Sequence, residues 1–141
     1  MIQNLAIASD HAGYKLKNYI VNSLKREINI NDFGTNSEES CDFPDFAKEA
    51  CDFVLNNESS RGLLICGSGV GMSIAANKIK GIRAAVGYNI KSTQLSRRHN
   101  NANILCLGSR LTKKKDIKKI VSIFLKTKFD GGRHKRRLKK I

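Results

Sequence analysis

The chain has 141 residues, 40% hydrophobic and 27% charged, the size and balance of one ordinary soluble domain with a real core. No apolar run approaches the roughly 18 residues that span a bilayer, and the opening residues lack a basic stretch followed by a long apolar one, so a cytoplasmic protein without a membrane segment is expected. The formal net charge of +14 is uneven: residues 126–141 contribute +7, residues 113–119 contribute +4, and the rest only +3. That distribution suits a polyanion-binding arm, a solvated tail or a handle for one small phosphate.

Leu5, Ala6, Ile7 and Ala8 form a short apolar run of the buried parallel-strand kind, broken at Ser9, Asp10, His11, Ala12 and Gly13. Leu16, Ile20 and Leu24 then recur at helical spacing with Lys15, Lys17, Lys25 and Arg26 between them, which predicts an amphipathic helix with the lysines on its polar side. Residues 28–33 read as a second strand and 34–43 as a polar loop. Pro44 sits where a first helical turn tolerates its missing N–H, and Phe46, Ala47, Ala50, Phe53 and Val54 continue a helix. Leu63, Leu64, Ile65 and Cys66 form a third strand that stops at Gly67, Ser68, Gly69, Val70 and Gly71, with a helix starting in that loop and running to about Ile79. Residues 82–87 give a fourth strand, 92–99 a polar helix, Ile104 to Leu107 a fifth strand, and 115–126 a last helix.

This β/α alternation predicts a single α/β domain: a three-layer, Rossmann-like sandwich with a five-stranded parallel sheet, helices on both faces and right-handed crossovers. Residues 127–141 are expected to form a basic tail. In such sheets ligands bind beyond the carboxyl ends of the strands. The first strand end delivers Asp10 and His11, the third Cys66 and the glycine loop, and the fifth Arg110.

Three glycines within five residues at a strand-to-helix junction allow backbone N–H groups to converge on an oxyanion, although Met72 stands where a dinucleotide fingerprint needs glycine. Cys66 ends the strand before that turn, where the helix dipole and free N–H groups stabilise negative charge, and it is therefore a candidate base or nucleophile. Cys51 and Cys106 read as packing residues and Cys41 as a loop residue, all four thiols being free. No His, Cys and Asp grouping has metal-ligand spacing, so neither a metal nor a cofactor is expected.

Together these residues resemble the type-B ribose-5-phosphate isomerase family, which includes galactose-6-phosphate isomerase subunits. The likeness covers nearly the whole chain. It rests on Ser9-Asp10-His11-Ala12-Gly13, Gly34-Thr35 with Asp42-Phe43-Pro44, Cys66-Gly67-Ser68-Gly69-Val70-Gly71, Ala75-Ala76-Asn77-Lys78, Gly81-Ile82-Arg83-Ala84, His99-Asn100-Asn101-Ala102-Asn103, Gly108-Ser109-Arg110 and Gly131-Gly132-Arg133-His134. The resemblance implies that Cys66 moves a proton between C2 and C1 of an open-chain sugar phosphate through an enediolate. The N–H groups of Gly67, Gly69, Val70 and Gly71, with the Ser68 hydroxyl, would hold that intermediate. His99, with Asp10 nearby, would open the furanose ring, Asn100 would hold sugar hydroxyls, and His11, Arg110, Arg133 and Arg137 would hold the phosphate.

It also implies a homodimer, or a tetramer built from it, whose partner contributes the His99 region and the tail arginines. Two positions depart from the family pattern: Ser68 stands where many members have threonine, and Phe43, a substrate-contact position, where many have tyrosine. The second bears on the choice between pentose phosphates and a hexose 6-phosphate such as galactose or allose 6-phosphate. A polyanion-binding role, nucleic acid included, is the lesser alternative, since residues 113–141 carry no interleaved aromatics or recognised reading motif.

Overall fold

A computed structural model of the chain describes residues 2–141. Five strands form one parallel sheet: β1 (Asn4–Ser9), β2 (Asn29–Asp32), β3 (Ser60–Cys66), β4 (Ala84–Val86) and β5 (Ile104–Gly108), in the order β2-β1-β3-β5-β4. Six helices connect or follow them: α1 (Tyr14–Leu24), α2 (Phe43–Asn56), α3 (Val70–Asn77), α4 (Ile90–Asn100), α5 (Ile117–Lys126) and α6 (Gly132–Leu138). Among the described residues no helix is long and apolar enough to cross a membrane.

Alternation along the strands makes two cores. Leu5, Ile7, Leu63, Ile65, Leu105 and Leu107 face one side and meet α1 and α5, while Ala6, Ala8, Leu64, Cys66, Ile104 and Cys106 face the other and meet α2 and α3. Ile117, Ile120, Val121 and Phe124 form the buried stripe of α5, and Ala47, Ala50, Cys51 and Val54 that of α2, each spaced i, i+3, i+4, i+7. The small α2 residues lie over Ala6 and Ala8, so helix and strand approach closely. Phe124 is wholly buried, which stabilises by about 1.5–3 kcal/mol.

Two features depart from the sequence reading. Lys17, expected on the solvent side of α1, is 1% exposed and its Nζ donates to Asp32 Oδ2 at 2.5 Å. The pair pins α1 to the end of β2, a partnership set 15 residues away that helical spacing could not show. The fourth strand is three residues long rather than six, and side chains hold its first residue and the residue before it. Asn77 donates to the Ala84 carbonyl and accepts its N–H, both at 2.9 Å, and Asn103 accepts from Arg83 N–H at 2.8 Å.

The expected tail is also more ordered than a tail. Arg61 donates to the carbonyls of Phe124, Leu125 (2.7 Å) and Thr127, and Arg97 donates to Thr127 (3.2 Å) and Ala102. Both guanidiniums are buried beside the carbonyl end of α5, where the helix dipole favours positive charge. Burial, and for Arg61 then the neighbouring Arg97, for Arg97 then Arg83, lowers each to about 10, so both stay charged at neutral pH. Residues 127–131 leave this anchor and deliver α6 onto α4, where Arg98 pairs with Asp130 at 3.0 Å.

Candidate active site

β1, β3 and β5 lie side by side, so their carboxyl ends bring Asp10 and His11, Cys66 with its loop, and Arg110 to one place at the sheet's topological switch. Cys66 is the last residue of β3, 5% exposed, and the Gly69 N–H donates to its Sγ at 3.1 Å. Gly69 has φ +80°, and a Cβ there would lie 3.0 Å from the Leu107 carbonyl carbon; the left-handed turn and the tight seat against β5 both require glycine. The same turn ends β3 and aims the Gly69 N–H at the sulfur.

Ser68 Oγ accepts from Val70 N–H at 3.2 Å, which leaves its own proton for a ligand. Asp10 is buried and accepts from Gly13 N–H at 3.1 Å. Gly13 is tied there by close packing, since a Cβ would lie 2.5 Å from the Ile65 carbonyl oxygen. His11 accepts the Cys41 N–H at its Nδ1, 3.3 Å away, so Nε2 carries the proton and can donate to an anion. Arg110 is exposed and its Nη1 would be 3.0 Å from a Cβ on Gly67. The Phe43 ring, on the first residue of α2, lies against Gly71, 2.9 Å from where a Cβ would be.

The other predicted residues lie elsewhere in the same chain. α4 runs back from the end of β4, so His99 and Asn100 sit beside the amino ends of the strands, where Gly62 N–H donates to the Asn103 carbonyl at 2.9 Å. Cys66 stands four residue steps along β3 from Gly62, about 13 Å by strand rise, more than a side chain spans. Asp10 and His99, taken together in the sequence reading, are thus at opposite ends of the chain's sheet. Arg133 and Arg137 lie on α6, which packs at the His99 end of α4, four residues apart and both exposed.

The remaining thiols are chemically quiet or peripheral. Burial, then Asp52, pushes the Cys51 thiol up to about 12, and burial raises that of Cys106 well above its ordinary value, so both stay protonated. Cys41 is half-buried, with Sγ 4.0 Å from His11 Nδ1. Among the described residues, His99, Asp130 and His134 have metal-capable atoms within 4.8 Å of one another. Their imidazoles stack at 4.3 Å with 9° between planes, so the nitrogen lone pairs, which lie in the ring planes, do not converge on one point. Arg98 already occupies Asp130.

A thiol under a glycine turn, flanked by a carboxylate, an imidazole and a guanidinium at the switch point of a parallel sheet, defines a class: α/β proteins that act on a small anionic substrate. Residues 5–141 match the family model for ribose/galactose isomerases. The chain is similar to ribose-5-phosphate isomerase B of Escherichia coli, 43% identical over 141 residues, 99% of this chain and 95% of the relative. It is also similar to the solved ribose 5-phosphate isomerase of Thermotoga maritima, with TM-score 0.95, 50% identity and coverage of 99% and 97% of the two chains. The Mycoplasma genitalium ribose-5-phosphate isomerase B structure, with bound ribulose-5-phosphate, matches with TM-score 0.93 and 47% identity over 99% of this chain and 94% of that one. The chain belongs to the ribose/galactose isomerase family of aldose–ketose isomerases.

Proposed function

We propose that this protein interconverts ribose 5-phosphate and ribulose 5-phosphate, with Cys66 as the base and with each site completed by a second copy of the chain. The observation that carries the reading is Cys66 Sγ at the carboxyl end of β3, 3.1 Å from the Gly69 N–H within a glycine turn. A thiolate there takes the proton from C2 of the open-chain aldose, and the charge passes to O1 as an enediolate. The turn's N–H groups and the Ser68 hydroxyl are donors preorganised for that charge. The C2 hydroxyl proton then passes to O1 as the C2 ketone forms, and Cys66 returns its own proton to C1, so the ketose carries a C1 hydroxyl and the thiolate is regenerated.

Ring opening precedes this step. The anomeric hydroxyl loses a proton and the ring oxygen gains one, a transfer suited to an imidazole, whose ordinary pKa lies near 6.5. His99 is assigned that role and Asn100 the sugar hydroxyls. Since His99 and Asn100 lie far from Cys66 in one protomer, they reach the site from a second copy, together with Arg133 and Arg137, whose forked guanidiniums match phosphate oxygens. A two-fold pairing that sets the α4 and α6 end of one copy against the Cys66 end of the other supplies both sites at once.

The test is an isomerase assay on phosphorylated pentoses and hexoses in the presence of EDTA. Turnover of ribose 5-phosphate that persists with EDTA is the expected result, and absence of that turnover overturns the assignment. A six-carbon sugar phosphate is the second reading, raised by Phe43, whose ring lies against Gly71 at a position where many family members carry a tyrosine hydroxyl. A higher kcat/KM on galactose or allose 6-phosphate selects it.

A further inference from the structure

We propose that His134 is a positioning residue for His99, holding the plane of its imidazole by face-to-face stacking, with the Arg98–Asp130 pair as the clamp that sets the stack. The proposal rests on the ring-opening role assigned to His99 above.

His99 stands in the last turn of α4, only half-buried. A histidine there has a broad, roughly two-fold second torsion, so its ring would sample several orientations. General acid–base transfer to a sugar ring oxygen needs the edge nitrogens in place beforehand, and misplacement by about 1 Å can cost about 100-fold in rate. His134 removes that freedom. The two rings lie 4.3 Å apart at 9°, so one flat face of His99 is covered, and stacking on that face does not engage the nitrogens, whose hydrogen bonds lie in the ring plane.

The chain between the helices is built for this contact. Asp130 N–H donates to the Arg98 carbonyl at 2.9 Å, and Arg98 Nε reaches both Asp130 carboxylate oxygens at 3.2 and 3.1 Å. Gly131 and Gly132 follow with φ +68° and +52°, backbone that ordinary side chains rarely adopt. Nothing lies within 4 Å of a Cβ at either position, so backbone conformation, not crowding, calls for glycine. This turn starts α6 and brings His134 onto His99 two residues later.

The electrostatics agree with a neutral His134. The groups facing it are His99, Arg98 and Asp130 on one side and Arg133 and Arg137 on its own helix. Desolvation, then the charges of His99, Arg133 and Arg137, hold it below its ordinary value against the opposite pull of Asp130.

Two variants separate stacking from other roles. His134→Phe keeps a flat ring without nitrogen, and His134→Ala removes the ring. With ribose 5-phosphate, His134→Ala should lose about 10- to 100-fold in kcat with KM changed less than about twofold, and His134→Phe should recover most of the loss. In the resting protein, the His99 ring protons should show a ring-current shift by NMR that disappears in His134→Ala and persists in His134→Phe. Wild-type kcat in His134→Ala, or a Phe variant as impaired as the Ala variant, overturns the proposal. A rise in KM alone also overturns it, by placing His134 on the phosphate. The NMR shift needs no substrate, so failure of the stack is distinguishable from failure of the assigned reaction, which shows as wild-type protein inactive on ribose 5-phosphate.

Discussion

At the scale of single residues, Cys66 is set apart from three other cysteines by its neighbours. Cys51 and Cys106 are sealed in the core, where burial keeps them protonated, whereas Cys66 ends a strand against a backbone donor. Cys66→Ala should lose on the order of 10²–10⁴ in kcat, the usual worth of a positioned proton-transfer group, with stability reduced by only about 1 kcal/mol for the small volume lost. Steady-state kinetics and a urea melt on the same preparation check both halves. Gly69 is the backbone counterpart. Gly69→Ala forces a Cβ at φ +80° against the Leu107 carbonyl, and should cost about 1–3 kcal/mol for the strained conformation together with most of the activity, because the Gly69 N–H moves off the sulfur.

At the scale of elements, the basic C-terminal region depends on α5. Arg61→Met keeps similar bulk but leaves the carbonyls of Phe124, Leu125 and Thr127 without their donor, so denaturant unfolding should show a loss of about 1–3 kcal/mol. Docking of α6 on α4 should depend on pH. His134 has a folded-state pKa below its ordinary value near 6.5, so its contribution is complete above that pH and declines as pH falls through the window beneath it. Asp130, lowered chiefly by its hydrogen bond from Arg98, adds a second loss in the acidic range below its ordinary value of 3.8. Both act in the same direction. NMR shifts of the amides of residues 132–138 should drift toward unstructured values as the pH falls below about 6.5, while those of α5 stay put.

At the scale of the whole molecule, the two groups of predicted functional residues occupy opposite ends of the sheet. The proposed site shared between two copies would account for that separation, and complementation tests it directly. Cys66→Ala and His99→Asn should each be inactive, and refolding the two together should restore about a quarter of wild-type activity, since about half the dimers are mixed and each mixed dimer has one intact site. A mixture as inactive as its components would place the whole reaction within one chain.

The amino-acid order by itself determined the alternating strands and helices, the glycine turn after Cys66 and the apolar spacing of α2, because each is a local pattern with its own period or turn chemistry. Only the tertiary structure decided which strand ends are neighbours: the order β2-β1-β3-β5-β4 puts β1, β3 and β5 together and leaves β4 at an edge, shortened and held by Asn77 and Asn103. Lys17 needed Asp32, and α6 needed α4, since Gly-Arg-His-Lys-Arg-Arg-Leu carries no apolar stripe to announce a helix. The placement of His99 at the far end from Cys66 likewise follows from α4 running back along the sheet. That is a property of the crossover, which no spacing along the chain encodes.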